Sequence, residues 1–126
     1  MQDRFKFRAW HKPTKQLFNV YSYSNDYVFG DNLNGIGTML NPAQFEACDL
    51  MQCTGLKDRN GKLIYEGDIL QQPQLPHKVV CEWYKDGYWL NGFMNGAKRE
   101  LRNMHKWYEV IGNIYENPEL LEEEND

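Results

Sequence analysis

Nowhere in this chain of 126 residues do more than three apolar residues follow one another. A membrane-spanning helix needs about 20 in a row and a secretory signal core about seven, so both are excluded. The chain must fold from short elements joined by turns. Its apolar content is aromatic in character, with four Trp, eight Tyr and six Phe. Such side chains fit a pleated surface better than a helix, which favours strands. The length suits one domain or two very small ones.

The local patterns agree. Phe5, Phe7 and Ala9 alternate with Arg4, Lys6, Arg8 and Trp10, the period of a half-buried strand. Lys12-Pro13-Thr14-Lys15 is turn chemistry, residues 17–23 read as a second strand, and residues 26–29 as a third. The Gly- and Asn-rich stretch 30–37 reads as a loop, and Asn41-Pro42 opens a short helix over 41–47. Residues 49–53 form a short strand. Asn60-Gly61 marks a tight hairpin in which both central residues take positive φ. Residues 63–70 are a strand interrupted at Gly67-Asp68, and 71–77 a loop.

Residues 79–85 and 88–93 flank Asp86-Gly87, a second two-residue hairpin. A tight turn there sets Trp83 opposite Leu90, Cys81 opposite Gly92, Tyr84 opposite Trp89 and Val80 opposite Phe93. Apolar pairs on both faces imply a strand pair covered on both sides. Residues 107–115 make a final strand, and a helical turn starts at Asn117-Pro118. The expected class is mainly β, a small barrel or sandwich packed around Trp83 and Trp107, with one or two short helices.

The net charge of −4 is unevenly spread. Residues 116–126 hold six acids and no base, a solubilising end or a strap for a basic surface of its own or a neighbouring subunit. Arg4, Lys6, Arg8, Lys12 and Lys15 make the start basic, and Lys98, Arg99, Arg102 and Lys106 form a second basic stretch. The candidate binding surface is Arg4, Lys6, Arg8 and Trp10, extended by Lys98, Arg99 and Arg102. Such charges can guard a strand edge, meet the acidic end of a neighbouring copy, or hold phosphates while the ring stacks on a base.

Catalytic and metal signals are weak. Cys48, Cys53 and Cys81 are odd in number and, with His11, His77 and His105, contain no short ligand pair. Reduced thiols in a cytoplasmic compartment are expected, with no metal and no cofactor. Glu66 and Asp68 could share a strand face and hold a hard cation. The turn reading is preferred, with Asp68 bonding local backbone N–H groups. No phosphate-binding loop, nucleophile elbow, dinucleotide fingerprint or zinc-protease motif occurs.

Three blocks carry a resemblance. Lys6-Phe7-Arg8-Ala9-Trp10 stands near the start. The stretch from Leu50 to Ile69 includes Thr54-Gly55-Leu56-Lys57-Asp58-Arg59-Asn60-Gly61-Lys62 and Tyr65-Glu66-Gly67-Asp68-Ile69. Near the end runs Glu109-Val110-Ile111-Gly112-Asn113-Ile114-Tyr115-Glu116-Asn117-Pro118. In order and spacing the blocks resemble the YopX family of bacteriophage and prophage proteins, with departures at Cys53 and Leu63. The resemblance implies a β-rich protein whose C-terminal part is similar to a small SH3-type barrel. It also implies a phage or prophage origin, expression in a bacterial cytoplasm, and no established activity, so no site residues carry over. The expected division is an N-terminal β-hairpin subdomain over 1–56, an SH3-type barrel over 57–121 and an acidic tail over 122–126. The expected role is non-enzymatic binding, first through a homo-oligomer, with phage or host proteins as other partners and no membrane contact. The alternatives are a nucleic-acid-binding module and, without supporting motif, an enzyme.

Overall fold

The computed structural model describes residues 7–23, 28–32, 37–40, 47–84, 87–92 and 98–122. The chain is mainly β, with two antiparallel sheets, one of them a half-barrel, and two short helices. It divides into two compact units, Met1–Cys53 and Thr54–Asp126.

The first unit holds β1 (Phe7–His11), β2 (Gln16–Tyr23), β3 (Val28–Asn32), β4 (Gly37–Leu40) and the first half of β5 (Cys48–Lys57). With β6 (Leu63–Tyr65) beyond β5, the sheet order is β4-β3-β2-β1-β5-β6. The β1–β2 hairpin turns through Lys12 to Lys15, where Lys15 donates its N–H to the His11 carbonyl at 2.8 Å. His11 Nδ1 lies 2.6 Å from the Thr14 hydroxyl and steadies the same turn. Because β1 lies between β2 and β5, Arg8 does not stand on a sheet edge.

Strands also extend into the expected loop. Gly30 pairs with Val20 and Thr38, and Gly37 pairs with Asp31. Ladder hydrogen bonds use backbone groups alone, so glycine content does not prevent pairing. The expected helix over 41–47 falls mainly on 41–46, outside the described residues. Leu17 and Phe18 are adjacent on β2 and both buried, so each face of this sheet carries buried side chains.

The second unit continues with β7 (Asp68–Gln71), β8 (Lys78–Tyr84), β9 (Gly87–Asn91) and β10 (Lys98–Glu100). Helix α1 (Leu101–Met104) and a 3-10 turn (His105–Trp107) follow, then β11 (Glu109–Asn113) and α2 (Glu119–Glu122). The five-stranded sheet has the order β10-β9-β8-β7-β11. Four strands form a meander, and the last crosses back to pair with β7.

Asp58 organises the loop between β5 and β6. Its backbone N–H donates to the Lys62 carbonyl at 2.8 Å, and Gly61 donates to the Asp58 carbonyl at 3.0 Å. Gly61 has φ +84, but Asn60 is not among the positive-φ residues. The loop is therefore a three-residue connection ending in a left-handed glycine, not the two-residue turn expected at Asn60-Gly61. The Asp58 side chain, accepting the N–H groups of Asn60 (2.8 Å) and Lys62 (2.9 Å), favours the longer form. At the next bend the buried Asp68 carboxylate accepts the Tyr65 N–H at 2.8 Å, the role the turn reading assigned it.

The core of this unit is Ile64, Leu70, Val79, Cys81, Leu90, Leu101 and Tyr108. It does not form around the two expected tryptophans, for Trp83 is 51% exposed and Trp107 61%. Trp83 lies at the outer end of β8, beyond the last buried row of the hairpin. Trp107 ends a helical turn that rotates its neighbour Tyr108 inward instead. The hairpin register also differs from the expected one. Cys81 faces Leu90, Glu82 faces Trp89, Trp83 faces Tyr88 and Tyr84 faces Gly87. Gly87 thus belongs to the strand, and the connection moves one residue earlier. Cys81 and Leu90 face the core, while the opposite face presents Glu82, Tyr84 and Trp89, so the hairpin is not equally covered on both sides.

The expected strand over 107–115 is replaced by a helical segment through Trp107 and a shorter β11. Leu101, Met104 and Tyr108 stand at i, i+3 and i+7, a helix-period signal that a stretch read for its charges concealed. Beyond β11, the buried Asn113 side chain accepts the N–H groups of Tyr115 (3.0 Å) and Glu116 (2.8 Å) and donates to the Glu116 carboxylate at 2.8 Å. The acidic end thus begins tethered to its own unit. Residues 123–126 lie outside the described residues.

Candidate binding surface

The end of the β8–β9 hairpin carries aromatic residues on both faces because β8 closes on Trp83-Tyr84 and β9 opens on Gly87-Tyr88-Trp89. Trp83 meets Tyr88 edge-on with ring centroids 5.0 Å apart, and Tyr84 meets Trp89 edge-on at 6.4 Å. Trp83 and Tyr84 are the most exposed of these rings, Tyr84 at 41%. Single exposed apolar residues are ordinary, but here each face of one hairpin end presents an exposed ring packed edge-on against a second ring, apolar surface of the kind used for contact.

The charges around this patch are matched. Lys98 on β10 places Nζ 3.9 Å from the Tyr84 ring centroid and 2.8 Å from a Glu82 carboxylate oxygen. Arg102 Nε donates to Glu100 at 2.6 Å. Each exposed ion pair contributes at most about 1 kcal/mol, so their main effect is to leave little net charge beside the rings. Next to them lies a cavity of about 240 Å³ lined by Leu56, Gly87, Tyr88, Trp89, Leu101 and the Glu100–Arg102 pair. The Trp89 Nε1 is buried without a hydrogen-bond acceptor among the described residues.

A second hollow, of about 340 Å³, opens between the β7–β8 connection and the α1 segment, lined by Gln72, Leu75, His77, Arg99, Met104 and Tyr108. Leu75 is exposed at its rim and Tyr108 is buried. Burial holds the Tyr108 phenol above its ordinary pKa, while its hydrogen bond with Gln72 and the Arg99 charge act in the opposite sense. Neither this hollow nor the first joins a histidine or cysteine to a carboxylate among the described residues. No disulfide joins Cys48, Cys53 or Cys81, of which Cys53 and Cys81 are buried, and no metal-holding group of His, Cys, Asp or Glu occurs among the described residues.

Comparison with known proteins gives this geometry a family. The model of the family described as YopX protein matches residues 6–122. The chain belongs to the YopX family. Protein EF1440 from Enterococcus faecalis, known from a crystal structure, is similar to it, with 27% identity and a TM-score of 0.62 over 92% of this chain and 96% of that one. No curated protein matches the chain.

In this YopX protein the residues singled out from sequence fall into separate groups. Arg4 and Lys6 lie outside the described residues. Arg8 and Trp10 are half-buried on the central strand β1 of the first unit, where Arg8 pairs with Asn19 and Met51. Lys98, Arg99 and Arg102 lie together in the second unit, on β10 and α1, beside the aromatic hairpin end. Sequence reading placed Trp83 in the core and passed over Gln72, Leu75, Met104 and Tyr108. Only the helix-period spacing of Leu101, Met104 and Tyr108 could have hinted at the hollow. Among the described residues no helix is long and apolar enough to cross a membrane.

Proposed function

We propose that this YopX protein is a non-enzymatic binding protein whose first partner is a second copy of itself, held through the aromatic hairpin end of the second unit. The observation that carries this is the exposure of Trp83 on one face of the hairpin end and of Tyr84 on the other. Aromatic rings are enriched at the centres of protein interfaces, where they contribute large contact area at low entropic cost. A two-fold interface must be self-complementary, and a patch whose cations already pair with their own carboxylates meets a copy of itself without repulsion. The same pairing disfavours the nucleic-acid reading. Lys98 and Arg102 are matched by Glu82 and Glu100, so phosphates would have to displace acids already in place.

In this reading the second unit is an SH3-type barrel, since a meander followed by a helical turn and a strand returning beside the first is the strand order of that fold. The protein acts in a bacterial cytoplasm as a phage or prophage product, a setting taken from the family resemblance. Size-exclusion chromatography with light scattering at low and moderate salt tests the proposal. The wild-type chain is expected as an oligomer at both, and Trp83→Arg as a monomer with unchanged circular dichroism. A wild-type monomer at both salt concentrations would overturn the proposal.

A further inference from the structure

We propose that the corner where the β5–β6 loop meets the 3-10 turn before β11 binds single-stranded nucleic acid, with Trp107 as the stacking ring and Lys57, Arg59, Lys62 and Lys106 as the phosphate contacts. None of these residues belongs to the aromatic hairpin end, so strand binding does not depend on assembly.

Two stretches far apart in sequence build the corner. His105 Nδ1 donates to the Lys57 carbonyl at 2.6 Å, across 48 positions. Arg59 donates its N–H to the Tyr108 carbonyl at 2.9 Å. One tie falls two residues before Trp107 and the other one residue after it, so the backbone at Lys106 and Trp107 runs beside the loop that carries Lys57, Arg59 and Lys62. The loop is fixed from beneath by the buried Asp58, whose carboxylate accepts the N–H groups of Asn60, Lys62 and Val110. A loop held in this way loses little freedom on binding.

The charges here are open. Lys57, Arg59, Lys62 and Lys106 are all exposed, and none of them takes part in an ion pair among the described residues. In this they differ from Lys98 and Arg102, which Glu82 and Glu100 match. The acids of the two stretches are Asp58, turned inward onto backbone N–H groups, and Glu109, which accepts the Asn60 amide at 3.3 Å. Four cations against two such carboxylates leave an outward positive charge that attracts polyanions.

Trp107, 61% exposed, decides between them. Every base presents a flat face that can stack on an indole, while cations alongside hold the phosphates. The acidic end of a second copy, residues 116–126, offers carboxylates but no aromatic ring. An anionic membrane calls for a broader apolar face than one ring. The other exposed large apolar residues, Leu50, Leu75, Trp83 and Tyr84, all belong to other stretches. A duplex keeps its base faces inside its own stack, so the strand that fits is single.

Fluorescence anisotropy on the full chain tests this with a labelled oligothymidylate of about 12 nucleotides, and with a duplex of the same length. At low salt the single strand is expected to bind, and more tightly than the duplex. Trp107→Ala is expected to weaken it roughly tenfold and Trp107→Phe to restore most of the loss, both with unchanged circular dichroism. The logarithm of affinity is expected to fall with that of salt at a slope of about −2 to −3, and Arg59→Gln or Lys106→Gln to reduce that slope by about 0.7 each. An oligothymidylate that fails to bind at low salt overturns the proposal. So does a duplex bound as tightly as the strand, or a Trp107→Ala chain that binds like wild type. Capture by phosphatidylserine vesicles, lost in Trp107→Ala and unaccompanied by strand binding, would give the corner to a membrane surface instead.

Discussion

The Asp58 carboxylate accepts the backbone N–H of Val110 at 2.9 Å, across 52 positions of sequence. Its other oxygen accepts Asn60 and Lys62, so one side chain shapes the β5–β6 loop and fastens it to β11. The neighbouring backbone follows, as Arg59 donates to the Tyr108 carbonyl at 2.9 Å. Asp58→Ala leaves three N–H groups without this acceptor, in a place where Asp58 itself is buried. A loss of about 3 kcal/mol in urea unfolding is expected. Asp58→Asn, which keeps one acceptor oxygen, should lose about 1 kcal/mol. Equal, negligible losses for both would show that the loop holds its shape without Asp58.

Gly112 lies against Asn117, and a Cβ built on it would stand 2.5 Å from Asn117 Oδ1 and 3.0 Å from its Cβ. Rotating the amide away cannot clear the second contact, and it would break the 3.2 Å bond from the Asn113 N–H to Asn117 Oδ1. Gly112→Ala should therefore destabilise by about 1–3 kcal/mol. Adding Asn117→Gly should recover part of that, so the two changes couple in a double-mutant cycle. Strict additivity of the two in thermal or urea unfolding would contradict the contact.

The outline of the fold was legible where turn chemistry is local. Lys12-Pro13-Thr14-Lys15 bends the chain where its residue types say, while the break expected at Gly67-Asp68 falls one residue earlier, at Glu66-Gly67, with Asp68 opening the next strand. Burial was less legible. Hydropathy places Trp83 inside, but exposure depends on how far the hairpin runs past Cys81, which only the register reveals. The segment from Leu101 to Tyr108 was hidden because its three inward residues are scattered among bases. The hollow is less legible still, since Gln72, Arg99 and Tyr108 meet through strand order and share no motif.

The three thiols should differ in reactivity. Cys53 and Cys81 are buried, while Cys48 is half-buried, its pKa raised first by burial and then by Asp49, with Lys12 opposing. Native protein at neutral pH is expected to react with a disulfide reagent slowly and only at Cys48, all three thiols becoming available on unfolding. Lys12→Ala should slow Cys48 further. Rapid reaction of Cys53 or Cys81 in the native chain would contradict their burial.

Tyr108 gives stability a pH dependence at the alkaline end. Its folded-state pKa is raised above the ordinary value of about 10, so below that value both states are neutral and its contribution is complete. As pH rises past it the unfolded chain ionises first, and the contribution falls until the folded phenol titrates. The stability difference between wild type and Tyr108→Phe, followed by urea unfolding, should therefore shift against wild type above pH 10 or so. A difference that stays constant through that range would show an unperturbed phenol.

The central claim is that the rings at the hairpin end are open in a single chain and covered when chains meet. Hydroxyl-radical footprinting read by mass spectrometry, on dilute and on concentrated protein, measures this at each residue. Trp83 and Tyr84 are predicted to oxidise readily when dilute and to become protected on concentration, while the peptide carrying exposed Leu50 stays unchanged. Equal oxidation of Trp83 and Tyr84 at both concentrations, with the chain monomeric throughout, would contradict it.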